Sequence, residues 1–313
     1  MTRVGLLVFI AAMSLCDLPI AQAQDEERAV LVTGASSGIG KRITEHLAAN
    51  GFFVFAGARK AEDLAALDEI DNVQSVRLDV TVQEDIDAAV RTVTESGRGL
   101  HGVVNNAGVA ILGDATKMTE DDLAFTMDVN VYGPYRITKA FAPLIIESQG
   151  RITTIGSISG ILSGRTAASY SMSKHAVEAY TDSLALEMAD HGVAVSVVEP
   201  GNYQSRIRDK VLEDARQKGA SEERLSALEE WANTEYKEPD EVAEAVHHFL
   251  VSDAPKRRYM VVPVEREAEI TIRKIIEETV QLNQDHPYTY TRDELVQMVD
   301  EALASLEDNA ASD

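Results

Sequence analysis

The chain has 313 residues, 45% of them apolar and 26% charged, with a formal net charge of −23 and an isoelectric point near 4.6. This composition suits one large α/β domain, 28–313, of the soluble type. The charge repels nucleic acid phosphates and anionic membrane surfaces, and no basic stripe offsets it, so partners of both kinds are disfavoured.

The first 23 residues differ from the rest. Arg3 precedes an apolar run from Val4 to Met13, and Ala21-Gln22-Ala23 closes the stretch with small residues at alternate positions. That is the order of a secretory signal, with cleavage expected after Ala23. The run is too short for a comfortable membrane span. Three arrangements stay open: a cleaved signal with export, an uncleaved membrane-associated segment, or a start assigned too early on a cytoplasmic protein. Membrane contact is expected only through this segment. Cys16 is the only cysteine, so a cleaved chain would hold no disulfide and no thiolate metal site. No metal is expected, because His247-His248 has no second ligand pair at metal spacing.

Arg28 to Gly34 reads as a buried strand, and Thr33-Gly-Ala-Ser-Ser-Gly-Ile-Gly40 turns it into a helix reaching about Asn50. Gly34, Gly38 and Gly40 let backbone approach a pyrophosphate, while the helix start, at Ser36, Ser37 and Ile39, supplies N–H donors and a positive dipole end. A second strand, Phe52 to Gly57, ends in Ala58-Arg59-Lys60. A dinucleotide fold meets the adenosine ribose at this point, where a carboxylate accepts the 2′-OH of NAD and a basic residue the 2′-phosphate of NADP. Arg59 therefore favours NADP, with NAD left open.

A third strand is expected over Val73 to Val80, ending in Leu78-Asp79-Val80, with a helix over Glu84 to Thr94. The next strand, Leu100 to Val104, runs into Asn105-Asn-Ala-Gly108, whose small residues allow close approach to a ligand. A long helix is expected from Asp121 to Glu147, kinked at Gly133-Pro134, so that backbone carbonyls near Asn130 are freed.

The β-branched run Arg151 to Ile155 stops at Gly156-Ser157, and helical periodicity resumes near Ser169. Tyr170 and Lys174 are four apart and share a helix face, with Ser157 at the strand end opposite. A phenol of pKa about 10 is a weak acid or base at neutral pH, and a neighbouring ammonium is expected to lower it. A serine hydroxyl can hold a substrate oxygen within reach. These groups can move a proton on or off an alcohol or carbonyl oxygen.

A sixth strand, Val193 to Val198, ends in Glu199-Pro-Gly201, and a seventh is expected over Arg258 to Val264. Between them lies an insertion, about 202–238, with helical patterns over Ser205 to Lys218 and Ser221 to Asn233. Its apolar positions, Tyr203, Ile207, Val211, Leu212, Leu225, Leu228 and Trp231, are expected on one face, either closing over a ligand or packing on the domain. An amphipathic tail follows, Glu265 to Leu282 and Arg292 to Leu306.

The series Thr33-Gly-x-x-x-Gly-x-Gly40, Asn105-Asn-Ala-Gly108, Asn130, Ser157, Tyr170-x-x-x-Lys174 and Pro200-Gly201 resembles the short-chain dehydrogenase/reductase family, in that family's order and spacing, from about Ala29 to Val264. The resemblance implies a Rossmann-type doubly wound parallel sheet of about seven strands in a single domain. It implies a tetrad in which Tyr170 is the acid/base, Lys174 lowers its pKa and holds the nicotinamide ribose, Ser157 orients the substrate oxygen and Asn130 anchors a water. It also implies adenine contacts at Asp79 and Val80, and nicotinamide-side contacts at Asn106, Ala107, Gly108, Pro200 and Gly201. Ser37 stands where many NADP-preferring members carry a second basic residue. The Glu199-Pro-Gly-Asn202 run, the insertion and the tail resemble the retinol and hydroxysteroid dehydrogenase branch, which implies a lipophilic substrate. The expected function is hydride transfer between NADP(H) and an alcohol/carbonyl pair of a small molecule. An acyl-carrier or sugar ketoreductase is the alternative, and a nonenzymatic dinucleotide sensor is a third. Assembly into a homo-oligomer stays open.

Overall fold

A computed structural model describes residues 28–311, so the signal-like segment 1–23 lies outside the described residues. The elements run β1 (Ala29–Val32), α1 (Gly38–Ala49), β2 (Phe53–Ala58), α2 (Ala61–Leu67), β3 (Val73–Arg77), α3 (Gln83–Glu95), β4 (Gly102–Asn105), α4 (Glu120–Met127), α5 (Gly133–Glu147), β5 (Arg151–Ile155) and α6 (Ala168–Ala189). They continue with β6 (Ala194–Pro200), α7 (Ile207–Gln217), α8 (Glu222–Asn233), α9 (Asp240–Val251), β7 (Arg258–Val261), α10 (Glu265–Leu282) and α11 (Arg292–Ala311).

All seven strands are parallel, in the order β3-β2-β1-β4-β5-β6-β7. Strands buried on both faces read as near-continuous apolar runs, and β1, Ala-Val-Leu-Val, is fully buried. Its alternate residues feed two cores. Val30 and Val32 pack with Ile43, Leu47, Val246 and Phe249 beneath α1 and α9, while Ala29 and Leu31 pack with Phe55, Ile137, Phe141 and Ile145 beneath α3 and α5. Strand order reverses between β1 and β4, and the carboxyl ends on either side of such a reversal leave a crevice for a ligand.

Three departures from expectation have a local physical cause. β3 stops at Arg77 because the Asp79 amide turns away to the Asp85 carboxylate, at 3.1 Å. β7 stops at Val261, two residues before Pro263, which has no amide to extend a ladder. The expected kinked helix is two helices, α4 and α5, joined by a π-turn at Asp128–Tyr132 that contains Asn130. Pro134 lies in the first turn of α5, where a missing donor costs little, and it has no N–H for the Asn130 carbonyl four residues earlier. α2 is a seven-residue helix that the sequence reading did not assign.

Candidate active site

The first glycine turn and the loop after β4 are tied together by one side chain from each, Thr33 and Asn106. Thr33 Oγ1 accepts from the amides of Asn106 and Ala107, each at 3.0 Å, and Asn106 Nδ2 donates to the carbonyls of Thr33 at 2.9 Å and Gly34 at 3.1 Å. Gly34 has φ +65°, and a Cβ there would meet Ala107 Cα at 2.9 Å. At Gly40 a Cβ would lie 2.3 Å from the Gly34 carbonyl oxygen, so helix and turn touch through bare backbone. No side chain caps α1, which leaves its first N–H groups available to an anion in the crevice. These donors and this close-packed glycine cradle fit a dinucleotide pyrophosphate.

A cleft of about 530 Å³ runs from this turn to Tyr170. Its wall includes Gly34, Ser36, Ser37, Ile39, Gly40, Arg59, Asp79, Val80, Asn106, Ala107, Gly108, Ser157, Tyr170, Lys174, Pro200 and Gly201. Two residues expected at the site lie outside the wall. Gly38, at φ +53°, packs beneath Ser205 instead, with its would-be Cβ 3.5 Å from Ser205 Cα. The Asn130 side chain is buried. Its Oδ1 accepts from the Val109 amide at 2.8 Å, while its Nδ2 donates to the Val109 carbonyl and to Ser173 Oγ, each at 2.9 Å. It braces the loop after β4 against α6. The Asn106 amide is committed in the same way to the glycine turn, so only the remainder of that residue faces the cleft.

Ser157, 8% exposed, accepts from the Ser159 amide at 3.0 Å. Lys174 Nζ donates to the Ile155 carbonyl at 2.7 Å and lies 5.6 Å from the Tyr170 ring centre. Burial brings the Lys174 ammonium down to about 8, only partly offset by the Glu178 carboxyl one turn on. The expected lowering of the Tyr170 phenol is not found. Burial pushes it above the usual range, with a hydrogen bond from Ser157 acting the other way. The ammonium is directed at the Ile155 carbonyl, so loss of hydration dominates at the phenol.

At the far end, Arg59 Nη1 stands 3.4 Å from Asp79 Oδ2. Burial alone would raise the Asp79 carboxyl, but hydrogen bonds from Thr81 and the Arg59 charge hold it below the usual range. Sequence reasoning missed Arg206 and Lys210, which α7 and the loop before it bring to the same end of the cleft. Burial and the cations Arg59 and Arg206 hold Lys210 below the usual lysine range. A cluster of cations in a chain of charge −23 fits an anionic ligand.

The insertion does not present one apolar face. Tyr203, Ile207 and Trp231 line the cleft, Val211 and Leu212 are buried, and Leu225 and Leu228 are half-buried away from it. Arg208 fastens this segment: its guanidinium sits 4.1 Å over the Tyr236 ring and donates to the carbonyls of Trp231 at 3.0 Å and Thr234 at 2.7 Å. The tail also reaches the site. Glu267 of α10 accepts from the Asn202 amide at 3.1 Å and Asn202 Nδ2 at 2.7 Å, covering Gly201, and Ile270 joins the wall. No local pattern marks Arg208, Glu267 or Ile270, since each matters only through a distant chain segment.

Among the described residues no helix is long and apolar enough to cross a membrane. The short chain dehydrogenase family profile matches residues 28–216. The chain is 32% identical over 261 residues to mitochondrial D-beta-hydroxybutyrate dehydrogenase of Bos taurus, covering 74% of this chain and 76% of the relative. It is 31% identical over 256 residues to retinol dehydrogenase 7 of Rattus norvegicus, covering 75% and 80%. Among solved structures, a short-chain dehydrogenase from Streptomyces avermitilis superposes with a TM-score of 0.70 at 27% identity, over 82% of this chain and 96% of that one. A variant of actinorhodin polyketide ketoreductase with NADPH gives 0.65 at 30% identity, over 75% and 95%. The chain belongs to the short-chain dehydrogenase/reductase family, and is an oxidoreductase of hydroxyl and carbonyl groups that uses a nicotinamide dinucleotide.

Proposed function

We propose that this enzyme interconverts a lipophilic alcohol and its carbonyl with NADP(H), and that Asn130, Ser157, Tyr170 and Lys174 form its catalytic apparatus. The observation that carries the reading is the meeting of Ser157, Tyr170 and Lys174 in one cleft whose opposite end is cationic. When bound, the nicotinamide supplies or accepts the hydride. Tyr170 gives its phenolic proton to the substrate oxygen in reduction and recovers it in oxidation. Ser157 Oγ hydrogen-bonds that oxygen, Lys174 holds the ribose beside Tyr170, and Asn130 fixes the loop and helix between which the substrate oxygen must fit. Ser36, Ser37 and the α1 N-terminus would hold the pyrophosphate, with Asp79 and Val80 on the adenine. Leu112, Leu162, Ile207, Trp231 and Ile270 make the wall apolar, which supports a lipophilic substrate over a sugar.

Arg59 carries the cofactor preference, with Arg206 and Lys210 adding to the charge that meets a 2′-phosphate. A guanidinium on phosphate contributes about 1.5–3 kcal/mol, or roughly tenfold to a hundredfold in affinity. Arg59→Asp is expected to erode or reverse a preference for NADPH over NADH, measured as kcat/KM with each cofactor across a panel of apolar ketones, aldehydes and sugars. Equal use of NADH by the unmodified enzyme, or sugars outrunning the apolar ketones, overturns the cofactor or the substrate reading respectively.

The signal-like segment 1–23 supports export or membrane association of this enzyme. N-terminal sequencing after cell fractionation is expected to give a mature chain starting at Gln24. A cytoplasmic protein starting near Asp25 to Arg28 would refute export and leave the catalytic assignment intact.

A further inference from the structure

Among the described residues, the wall of the cleft holds two acids, Asp79 and Glu267. A cleft that takes a polyanionic dinucleotide is not helped by negative charge, so each acid needs a physical reason. Asp79 has one, since Arg59 stands 3.4 Å away and matches its charge. Glu267, half-buried in the first turn of α10, forms no ion pair among the described residues. Its oxygens meet neutral donors instead. Oε2 accepts from the Asn202 amide at 3.1 Å and Oε1 from Asn202 Nδ2 at 2.7 Å. Such donors orient a carboxylate without cancelling its charge. The positive end of α10 offsets that charge only in part, because a helix N-terminus carries about half a unit. The remainder is felt inside the cleft: the Tyr203 phenol, in the same wall, is raised by burial first, by Glu241 next and by the Glu267 charge as well.

The sheet fixes where this charge acts. β5 and β6 pair in parallel, with Ile155 opposite Val198 and the Gly156 amide bonded to the Val198 carbonyl at 2.7 Å. Ser157 and Gly201 therefore leave neighbouring strands at the same edge of the sheet. α10 crosses at Gly201, where a Cβ would run into Glu267 Oε2, so only a glycine admits the carboxylate. Arg59, Arg206 and Lys210 gather at the other end of the cleft, and the α1 N-terminus offers its donors to the phosphates. A dinucleotide laid along these groups has its nicotinamide half at the Ser157 and Tyr170 end, beside Gly201. The nicotinamide ring is the one part of the ligand that becomes positive, and it does so only when oxidised.

We infer that Glu267 is the counter-charge of the oxidised nicotinamide ring, and that it biases this enzyme towards carbonyl reduction. The inference rests on the cofactor class and on the reacting end of the cleft assigned above, and on neither the NADP preference nor the lipophilic substrate. Reduction moves a hydride to the carbonyl carbon and the Tyr170 proton to its oxygen, and leaves one positive charge on the ring. The oxidised and reduced dinucleotides share their phosphates, riboses and adenine, so Glu267 distinguishes them by that charge alone. By linkage, a group that binds the oxidised form more tightly shifts the equilibrium on the enzyme towards it by the same factor. Part of the charge is already present in the transition state, where a fixed carboxylate acts without reorganising.

The test reads binding in the absence of substrate. Fluorescence titration of the full chain gives Kd for NADP⁺ and for NADPH. Glu267→Gln keeps an acceptor for the Asn202 amide and removes the charge. It is expected to weaken NADP⁺ roughly fivefold to thirtyfold, the size of one opposite charge at a half-buried site, and to leave NADPH within about twofold. Asn202→Ala loosens the α10 contact and keeps the charge, and is expected to change both Kd values by the same factor. NAD⁺ and NADH are expected to show the same pattern, so failure of the NADP reading leaves this result legible. Circular dichroism establishes that each variant is folded, and Glu267→Met, neutral and of similar size, stands in if Glu267→Gln is not. Equal changes for the oxidised and reduced forms in the neutral variant mark a contact that only holds α10 in place, and overturn the inference. So does a loss confined to KM for amine-bearing carbonyl compounds with both Kd values unchanged, which assigns the charge to a cationic substrate.

Discussion

Tyr170→Phe is expected to lower kcat by 10²–10⁴-fold while leaving dinucleotide affinity within a few-fold of wild type, because general acid/base catalysis contributes about that much. The substitution keeps the ring that packs near Lys174 and removes only the proton-carrying oxygen. Burial holds the phenol protonated at neutral pH, so it is ready to give a proton to a carbonyl oxygen, and carbonyl reduction is the direction best served there. Oxidation needs the phenolate, and its rate is expected to climb as pH rises. Turnover by stopped-flow nicotinamide absorbance and affinity by fluorescence titration separate the two effects. Near wild-type turnover in Tyr170→Phe would remove Tyr170 from its assigned role.

The parts of the site legible in the sequence are those whose chemistry is local. The first glycine turn and the Tyr170–Lys174 pair are written in spacings that a strand-to-turn or one helix face converts directly into geometry. The side chains of Asn106 and Asn130 were legible as present but not as oriented, since their targets are backbone groups far away in the chain. The seven strands were legible as short buried apolar runs, whereas their assembly into one parallel sheet was implied by the family resemblance. The break before α5 was misplaced because a π-turn leaves no composition signal and Pro134 was credited with the whole effect. Arg206, Lys210, Glu267 and Ile270 reach the cleft only through tertiary packing, which one-dimensional periodicity cannot register. The same holds for the fall of the Lys174 ammonium to about 8, which depends on how deeply the helix is buried.

A second large effect is expected at Glu178, one helical turn beyond Lys174. Its carboxyl is buried behind the Ser157 turn, where a Cβ on Gly156 or Gly160 would come within 3.0 Å or 2.9 Å of Oε1. Both of its oxygens and Glu199 Oε1 have no donor when the two residues are taken as carboxylates. One shared proton would supply that donor. Arg258 does not neutralise the pair, because its guanidinium is directed at Asp182, at 2.8 and 2.9 Å, and stands 3.4 Å from Glu178 and 3.6 Å from Glu199. Burial first, and the Glu199 charge second, push the Glu178 carboxyl up to about 8, with Glu199 raised as well. An unfolded glutamate releases its proton near pH 4.3, so between about 4.5 and 8 the folded protein holds a proton that the unfolded chain has lost. Stability therefore falls as pH rises through that window. Glutamine mimics the protonated acid at every pH and still donates to Glu199. Glu178→Gln is expected to match wild type near pH 5, to exceed it by about 1–3 kcal/mol at pH 8, and to flatten the decline between. Urea unfolding at several pH values reads this directly. Parallel declines in the two proteins would mean that Glu178 is already ionised in the fold, and that Arg258 holds the pair as two anions after all.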